Sequence, residues 1–234
     1  MSLVVEQLCK SYDSQLAVDR VSFHLKQGEV VGFLGPNGAG KSTTLKMIAG
    51  FLSPDSGSIQ LNGMPIHPDT IEAKKIIGYL PESNALYEQL YVKEYLQFLS
   101  KVHGIQNASQ RILQTIDQTG LGLMQHKKIG SLSKGYKQRL GIAAAILHQP
   151  KLVLLDEPTT GLDPNQLIEI RALIQSLSKE ALILFSTHIL QEVTAICDRV
   201  LVLHQGKLVA DEPIGDLLKK HNTNLEEIFK LLTH

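Results

Sequence analysis

Two stretches of this chain and one tyrosine have the types and spacing to act on a polyphosphate. Gly35-Pro36-Asn37-Gly38-Ala39-Gly40-Lys41-Ser42, followed by Thr43, fits the pattern G-x-x-x-x-G-K-[ST]. Its glycines tolerate backbone conformations that other residues resist, so successive N–H groups can point inward. A helix beginning at Lys41 adds its positive dipole end. In such a cradle Lys41 would reach the outer phosphates as a point charge, and the Ser42 hydroxyl would ligate Mg²⁺. The second stretch, Leu152-Val-Leu-Leu-Asp156-Glu157, is an apolar run ending in two acids. Asp156 suits holding Mg²⁺ together with Ser42, directly or through a water, and Glu157, pointing differently, suits orienting or deprotonating an attacking water. An isolated Asp-Glu pair more often caps a helix or faces solvent; Gly-Lys-Ser upstream decides for catalysis here. Tyr12, in Lys10-Ser-Tyr-Asp13, lies just outside a first strand and could stack on a purine, although a lone loop tyrosine is usually only a half-buried amphipath.

These residues need a scaffold, and the periodicity supplies one. Apolar runs predict strands at Leu3–Leu8, Arg20–Leu25, Val30–Leu34, Ser58–Leu61, Lys74–Leu80, Lys151–Asp156 and Ala181–Thr187, with a late hairpin of Arg199–Leu203 and Lys207–Ala210. Asn62-Gly63 marks a further hairpin turn. Between Ala85 and Gly130 the spacing changes to three and four, which predicts helices at Val92–Val102 and Ala108–Thr119; another runs from Ser133 to Leu147 before Pro150. Asp163-Pro164 caps and opens a helix running to Leu177. The fold class is α/β: a P-loop NTPase core with a mostly parallel sheet, an N-terminal antiparallel β region and an inserted α-helical subdomain. One domain over residues 1–234 is expected, with residues 1–84 and 150–234 forming the nucleotide-binding core and 85–149 the helical subdomain.

Composition narrows the functions. The chain has 234 residues, and its 23 basic residues balance 23 acidic ones, leaving no global field to attract nucleic acid or an anionic membrane. Membrane contact should therefore run through a protein partner. No apolar run approaches the length of a spanning helix, and Met-Ser-Leu-Val-Val-Glu lacks an export signal, which predicts a cytoplasmic protein. Cys9 and Cys197 have no metal spacing and are expected as buried free thiols.

Ser131-Leu132-Ser133-Lys134-Gly135-Tyr136-Lys137-Gln138-Arg139 resembles the Leu-Ser-Gly-Gly-Gln signature of ATP-binding cassette (ABC) transporter ATPases. The order of phosphate loop, helical insertion, signature, acid pair, Gly161-Leu162-Asp163 and Ser186-Thr187-His188 matches that family throughout. The resemblance implies that Tyr12 stacks on adenine, that Asp163 belongs to a loop coupling two subunits, and that His188 is a switch histidine near the γ-phosphate. It implies further that Ser133, Lys134 and Gly135 close in trans over ATP bound to the partner's phosphate loop, in a head-to-tail dimer with a second copy or a related ATPase. Two departures stand out. Glu82 replaces the family's usual Gln in the loop after the Lys74–Leu80 strand, where it could reach Mg²⁺ through oxygen, and Lys134 with Tyr136-Lys137 replaces glycines and glutamine of the signature. Both, with Leu86-Tyr87-Glu-Gln-Leu-Tyr-Val-Lys-Glu-Tyr95, resemble the branch serving two-component exporters of the multidrug, sodium and gliding-motility type. The expected protein is an ATPase using ATP and Mg²⁺, peripheral on the cytoplasmic face of a membrane and driving an integral membrane permease subunit. An importer ATPase and a soluble ABC ATPase working on ribosomes or DNA are the rival readings.

Overall fold

Apolar residues on one face make β1 (Ser2–Tyr12) and β2 (Gln15–Lys26) half-buried antiparallel strands, with Leu3, Val5, Leu8, Val21, Phe23 and Leu25 inward. Gln7 and Arg20, both with positive φ, mark irregular positions of this pairing. β4 (Ser56–Leu61) pairs on the other side of β1, and β5 (Met64–Pro65) closes a four-stranded sheet in the order β2-β1-β4-β5. Asn62 and Gly63, at φ 53° and 78°, form the two-residue turn between β4 and β5. The computed structural model describes residues 1–13 and 15–233; Ser14 and His234, the last residue of the expected domain, lie outside the described residues.

The second sheet contains β3 (Val30–Leu34), β6 (Ile77–Leu80), β7 (Leu152–Asp156), β8 (Leu182–Thr187), β9 (Arg199–His204) and β10 (Lys207–Pro213), in the order β10-β9-β3-β8-β7-β6. All its neighbours pair in parallel except β10, which folds back on β9. Every residue of β3, β7 and β8 is buried, as continuous apolar runs covered on both faces require. On one face Val31, Phe33, Leu154 and Leu184 pack with Leu45, Met47 and Ile48 of α1 (Lys41–Ile48) and with the inner face of the antiparallel sheet. On the other face Val153, Leu155, Ile183 and Phe185 pack against α5 (Lys134–Ile146) and α6 (Pro164–Leu177).

Helices α3 (Val92–Val102) and α4 (Ala108–Gln118) form a further apolar cluster with α5 through Leu96, Ile112, Ile116 and Leu140. Helix α5 serves both layers. It approaches β6 so closely that a Cβ on Gly78 would lie 2.1 Å from the Ala145 carbonyl oxygen. Helices α7 (Leu190–Ile196), α8 (Ile214–His221) and α9 (Leu225–Thr233) cover β9 and the end of β3 through Val193, Leu217 and Ile228.

Four readings of the sequence change. The run Lys74–Leu80 is not one strand: Ile71–Lys74 is a short helix, α2, and only Ile77–Leu80 pairs with β7. The Lys74 amine bonds the Pro68 carbonyl and so closes that turn instead of extending the strand. Tyr12 is the last residue of β1, opposite Gln15, rather than outside the strand. The segment after His188 forms α7, whose seven residues carry too short a pattern to have been read as a helix. Cys9 and Cys197 are free thiols and partly rather than fully buried.

Candidate functional site

The phosphate loop is shaped by what lies beneath it. A Cβ on Gly35 would come within 2.4 Å of the Leu203 carbonyl oxygen, and one on Gly40 within 2.3 Å of that of Ala17. Gly40 has φ 102°, which places it before α1 in a conformation that side chains rarely adopt. The loop thus lies directly on β2 and β9, and the Gly206 amide at the β9–β10 turn donates to Ala39 O at 3.1 Å. Lys41 opens α1 and folds back over the loop, its Nζ donating to Gly35 O at 2.7 Å and Pro36 O at 3.2 Å. Burial draws its ammonium below the ordinary lysine range, while the Glu157, Asp156 and Glu82 carboxylates oppose that shift.

A cleft of about 340 Å³ opens above the loop. Tyr12, Asn37, Gly38, Ala39, Gly40, Lys41, Ser42, Thr43, Glu82 and Glu157 all line it, so most residues selected from the sequence converge here. Gln15 and Ala17 line it too; nothing in their types distinguished them, because they enter only through the turn of β1 into β2.

At the end of β7 the two acids diverge as expected of neighbours leaving a strand. Asp156 is 1% exposed and accepts a hydrogen bond from the Ser186 hydroxyl on β8, which in turn accepts from the Glu157 N–H at 3.1 Å. Glu157 has φ 51°, an uncommon conformation for a residue with a side chain, and it turns the carboxylate back toward the loop. Glu157 Oε1 is 3.7 Å from Lys41 Nζ, while Oε2 accepts from Thr160 Oγ1 at 3.1 Å and pairs with His188 Nδ1 at 2.9 Å. The Thr160 contact carried no signal in the sequence. Ser186 stood in the Ser-Thr-His order, but its bridging hydroxyl follows only from the β7–β8 register, in which Asp156 faces Ser186.

The remaining residues lie elsewhere. Ser133 caps α5, accepting from the Tyr136 N–H at 3.4 Å, and Asp163 caps α6, accepting from the Gln166 N–H at 3.0 Å. Lys134 lies over Gly161 and Gln166 over Gly135, so the signature packs on the loop that follows Glu157. Ser133, Lys134, Gly135 and Asp163 are not among the residues lining the cleft, and neither are Gly35, Pro36, Asp156 and His188, which adjoin it through Lys41 and Glu157 or their chain neighbours.

Residues 18–160 match the family of the ABC transporter. The chain belongs to the ABC transporter ATP-binding proteins. Over 232 residues this cassette is 41% identical to the bacitracin transport ATP-binding protein BcrA of Bacillus licheniformis, covering 97% of the chain and 75% of BcrA. It is 38% identical over 221 residues to the linearmycin resistance ATP-binding protein LnrL of Bacillus subtilis, covering 93% of the chain and 71% of LnrL. Among solved structures, the ATP-binding subunit of an ABC transporter superposes with a TM-score of 0.89 at 32% identity, each chain covered over 100% of its length. The dimeric bacterial ABC transporter cassette MJ0796 does so with a TM-score of 0.81 at 25% identity, covering 90% of this chain and 98% of MJ0796. The cassette is therefore the nucleotide-binding ATPase subunit of an ABC transporter, and no helix among its described residues is long and apolar enough to cross a membrane.

The cassette's residues also fit a magnesium ion. Ser42, Asp156 and Glu82 offer a hydroxyl and carboxylates, the hard oxygen donors that Mg²⁺ prefers. Among the described residues no three His, Cys, Asp or Glu side chains form a ready metal cluster.

Proposed function

We propose that this cassette powers a two-component exporter: it binds MgATP, pairs with a second cassette, hydrolyses the nucleotide and drives a separate membrane subunit on the cytoplasmic face. The observation that carries the hydrolytic reading is the placement of Glu157, whose carboxylate is held by His188 and Thr160 beside Lys41 at the mouth of the phosphate loop. Lys41 exchanges its bonds to the loop carbonyls for the β- and γ-phosphates, joined by the loop N–H groups. Ser42, Asp156 and Glu82 are the residues that would hold Mg²⁺, which would supply neutralising charge to the phosphate oxygens. Glu157 orients the attacking water and accepts its proton, and His188, hydrogen-bonded to that carboxylate, contacts the γ-phosphate. Catalysis is then chiefly positioning and electrostatic stabilisation. Tyr12, which lines the cleft, stacks on the adenine.

Pairing is supported by the separation of the signature from the cleft. The α5 N-terminus carrying Ser133, Lys134 and Gly135 has a helix dipole suited to an anion, yet it does not line the chain's own cleft. A head-to-tail dimer brings it to the partner's nucleotide, with Asp163 in the loop between the two sites; MJ0796 is a related cassette solved as a dimer. Export is supported by the likeness to LnrL, a linearmycin resistance protein, and by Glu82 and the signature departures, which resemble the two-component exporter branch. A membrane subunit would meet the helical subdomain, where Tyr87, Tyr91 and Phe98 are exposed and the ring centroids of Tyr87 and Phe98 are 6.0 Å apart.

Glu157→Gln tests the assignment. It keeps nearly the same shape but cannot take a proton, so turnover should fall by about 100-fold or more while ATP binding persists and an ATP-bound dimer accumulates in size-exclusion chromatography. Unchanged phosphate release would remove Glu157 from the mechanism.

A further inference from the structure

Helix α6 touches both halves of the machinery, one turn after another. Capped by Asp163, it places Gln166 over Gly135 so closely that a Cβ there would lie 2.4 Å from the amide carbon. Glu169, one turn on, pairs with Arg139 of the signature helix α5. Arg171 then reaches α7, donating from Nε to Glu192 Oε2 at 3.1 Å and from Nη2 to Oε1 at 2.6 Å. Glu192 is 1% exposed, and a carboxylate at that depth is strongly destabilising unless paired and hydrogen-bonded. The two-pronged contact therefore allows one arrangement of α6 against α7. Glu192 lies in α7, four residues after His188, which stands just before the extended N-cap residue Ile189; fixing α7 therefore also fixes the start of the segment that presents His188 to Glu157. The phosphoryl chemistry itself does not use this buried pair.

We propose that α6 is a rigid coupler between the signature and the His188–Glu157 pair, with Gln166 and Arg171 as its positioning residues. This rests on the dimer reading above, since only in a dimer does a signature meet a nucleotide other than its own chain's. Closure of the signature on the partner's nucleotide bears on α6 through Gln166 and Glu169. Arg171 carries the displacement to α7 and to the histidine that orients the chain's own Glu157. Gln166 and Arg171 lie five residues apart, about 7.5 Å along one hydrogen-bonded helix, a span stiff enough to pass a small shift from the first to the second. Coupling between the two nucleotide sites would then be reciprocal.

The test measures ATP hydrolysis against ATP concentration for the full chain with its membrane subunit. Three variants are compared: Gln166→Ala, Glu192→Gln, and the double change Arg171→Met with Glu192→Leu, which removes both charges together and strands neither. Each should turn a sigmoidal rate curve toward a hyperbolic one and lower kcat about tenfold, while in Gln166→Ala and the double variant ADP binding and the melting temperature of the isolated chain stay as in the wild type. Retained sigmoidicity in Gln166→Ala and in the double variant overturns the coupler, as does a hyperbolic wild-type curve. A kcat loss that comes only with lost ADP binding or a lowered melting temperature overturns it as well, by assigning α6 a purely structural role. Glu157→Gln separates the two readings. If it fails to dimerise on ATP, the dimer reading falls and takes the coupler with it; if it dimerises while the variants stay sigmoidal, the coupler alone falls.

Discussion

Glu157 shows how much one backbone angle can decide. With φ 51° the residue leaves the strand in a left-handed turn, fixed by its N–H on Ser186, and its carboxylate faces Lys41 and His188 instead of solvent. Lys41 is held in the same economical way, with the loop's own carbonyls as acceptors in place of phosphate oxygens. Exchanging neutral acceptors for phosphate oxygens gives stronger, charge-assisted bonds, so the swap on nucleotide binding is downhill. Tyr12 is the residue whose role is simplest to measure. It is 47% exposed at the cleft edge, which leaves a ring face for a purine. Tyr12→Ala should weaken ATP binding by about 1–3 kcal/mol, roughly fivefold to 150-fold, and Tyr12→Phe should leave it nearly unchanged, both read by titration calorimetry.

At the scale of elements, the site depends on how closely helices approach the parallel sheet. β6 and β7 run side by side, with Gly78 opposite Val153, and α5 presses its Ala145 carbonyl into the space that Gly78 leaves. This contact sets the height of α5, and with it the signature at the α5 N-terminus. Gly78→Ala should force helix and sheet apart and cost about 3 kcal/mol, visible as a lowered urea midpoint with an unchanged slope. An unchanged midpoint would mean that α5 is free to shift. The helices themselves were largely legible: α3, α5 and α6 lie within a residue or two of their expected bounds because Ser133 and Asp163-Pro164 are strong start signals. Helix α2 was not, since Ile76 to Leu80 pulls an apolar window toward a strand reading that Lys74 and Lys75 do not share.

Across the whole molecule, the antiparallel sheet, the parallel sheet and the helical layer meet around α1 and α5. His148, just past α5, sits at the junction of the helical layer and the sheet. Its ring stacks on His103 with centroids 4.2 Å apart, and its Nε2 bonds Ile77 O at 3.1 Å. Burial, with the neighbouring His103 and Arg111 adding to it against the Ile77 bond, holds His148 well below the usual imidazole value of 6.5, down to about 4. A depressed folded-state value makes the neutral ring the native form. Above pH 6.5 the group leaves stability unchanged; between 6.5 and about 4 the unfolded chain gains a proton that the folded chain refuses, and stability is lost. The loss attributable to His148 is on the order of 3 kcal/mol at the acid end. Thermal melts should show a downward step over that window, and His148→Gln should flatten it.

What the amino-acid order determined by itself was contiguous. The phosphate loop, the acid pair and the caps at Ser133 and Asp163 are legible because each is one segment whose local geometry makes the site. The buried strands are legible because a strand covered on both faces must be apolar throughout. The tertiary structure alone decided what depends on residues far apart in the chain. Sheet register puts Ser186 against Asp156, the turn of β1 into β2 carries Tyr12 to the loop, and packing aligns Gln166, Glu169 and Arg171 with Gly135, Arg139 and Glu192. Such contacts arise from which faces bury each other, and a short polar side chain signals its type but not its distant partner.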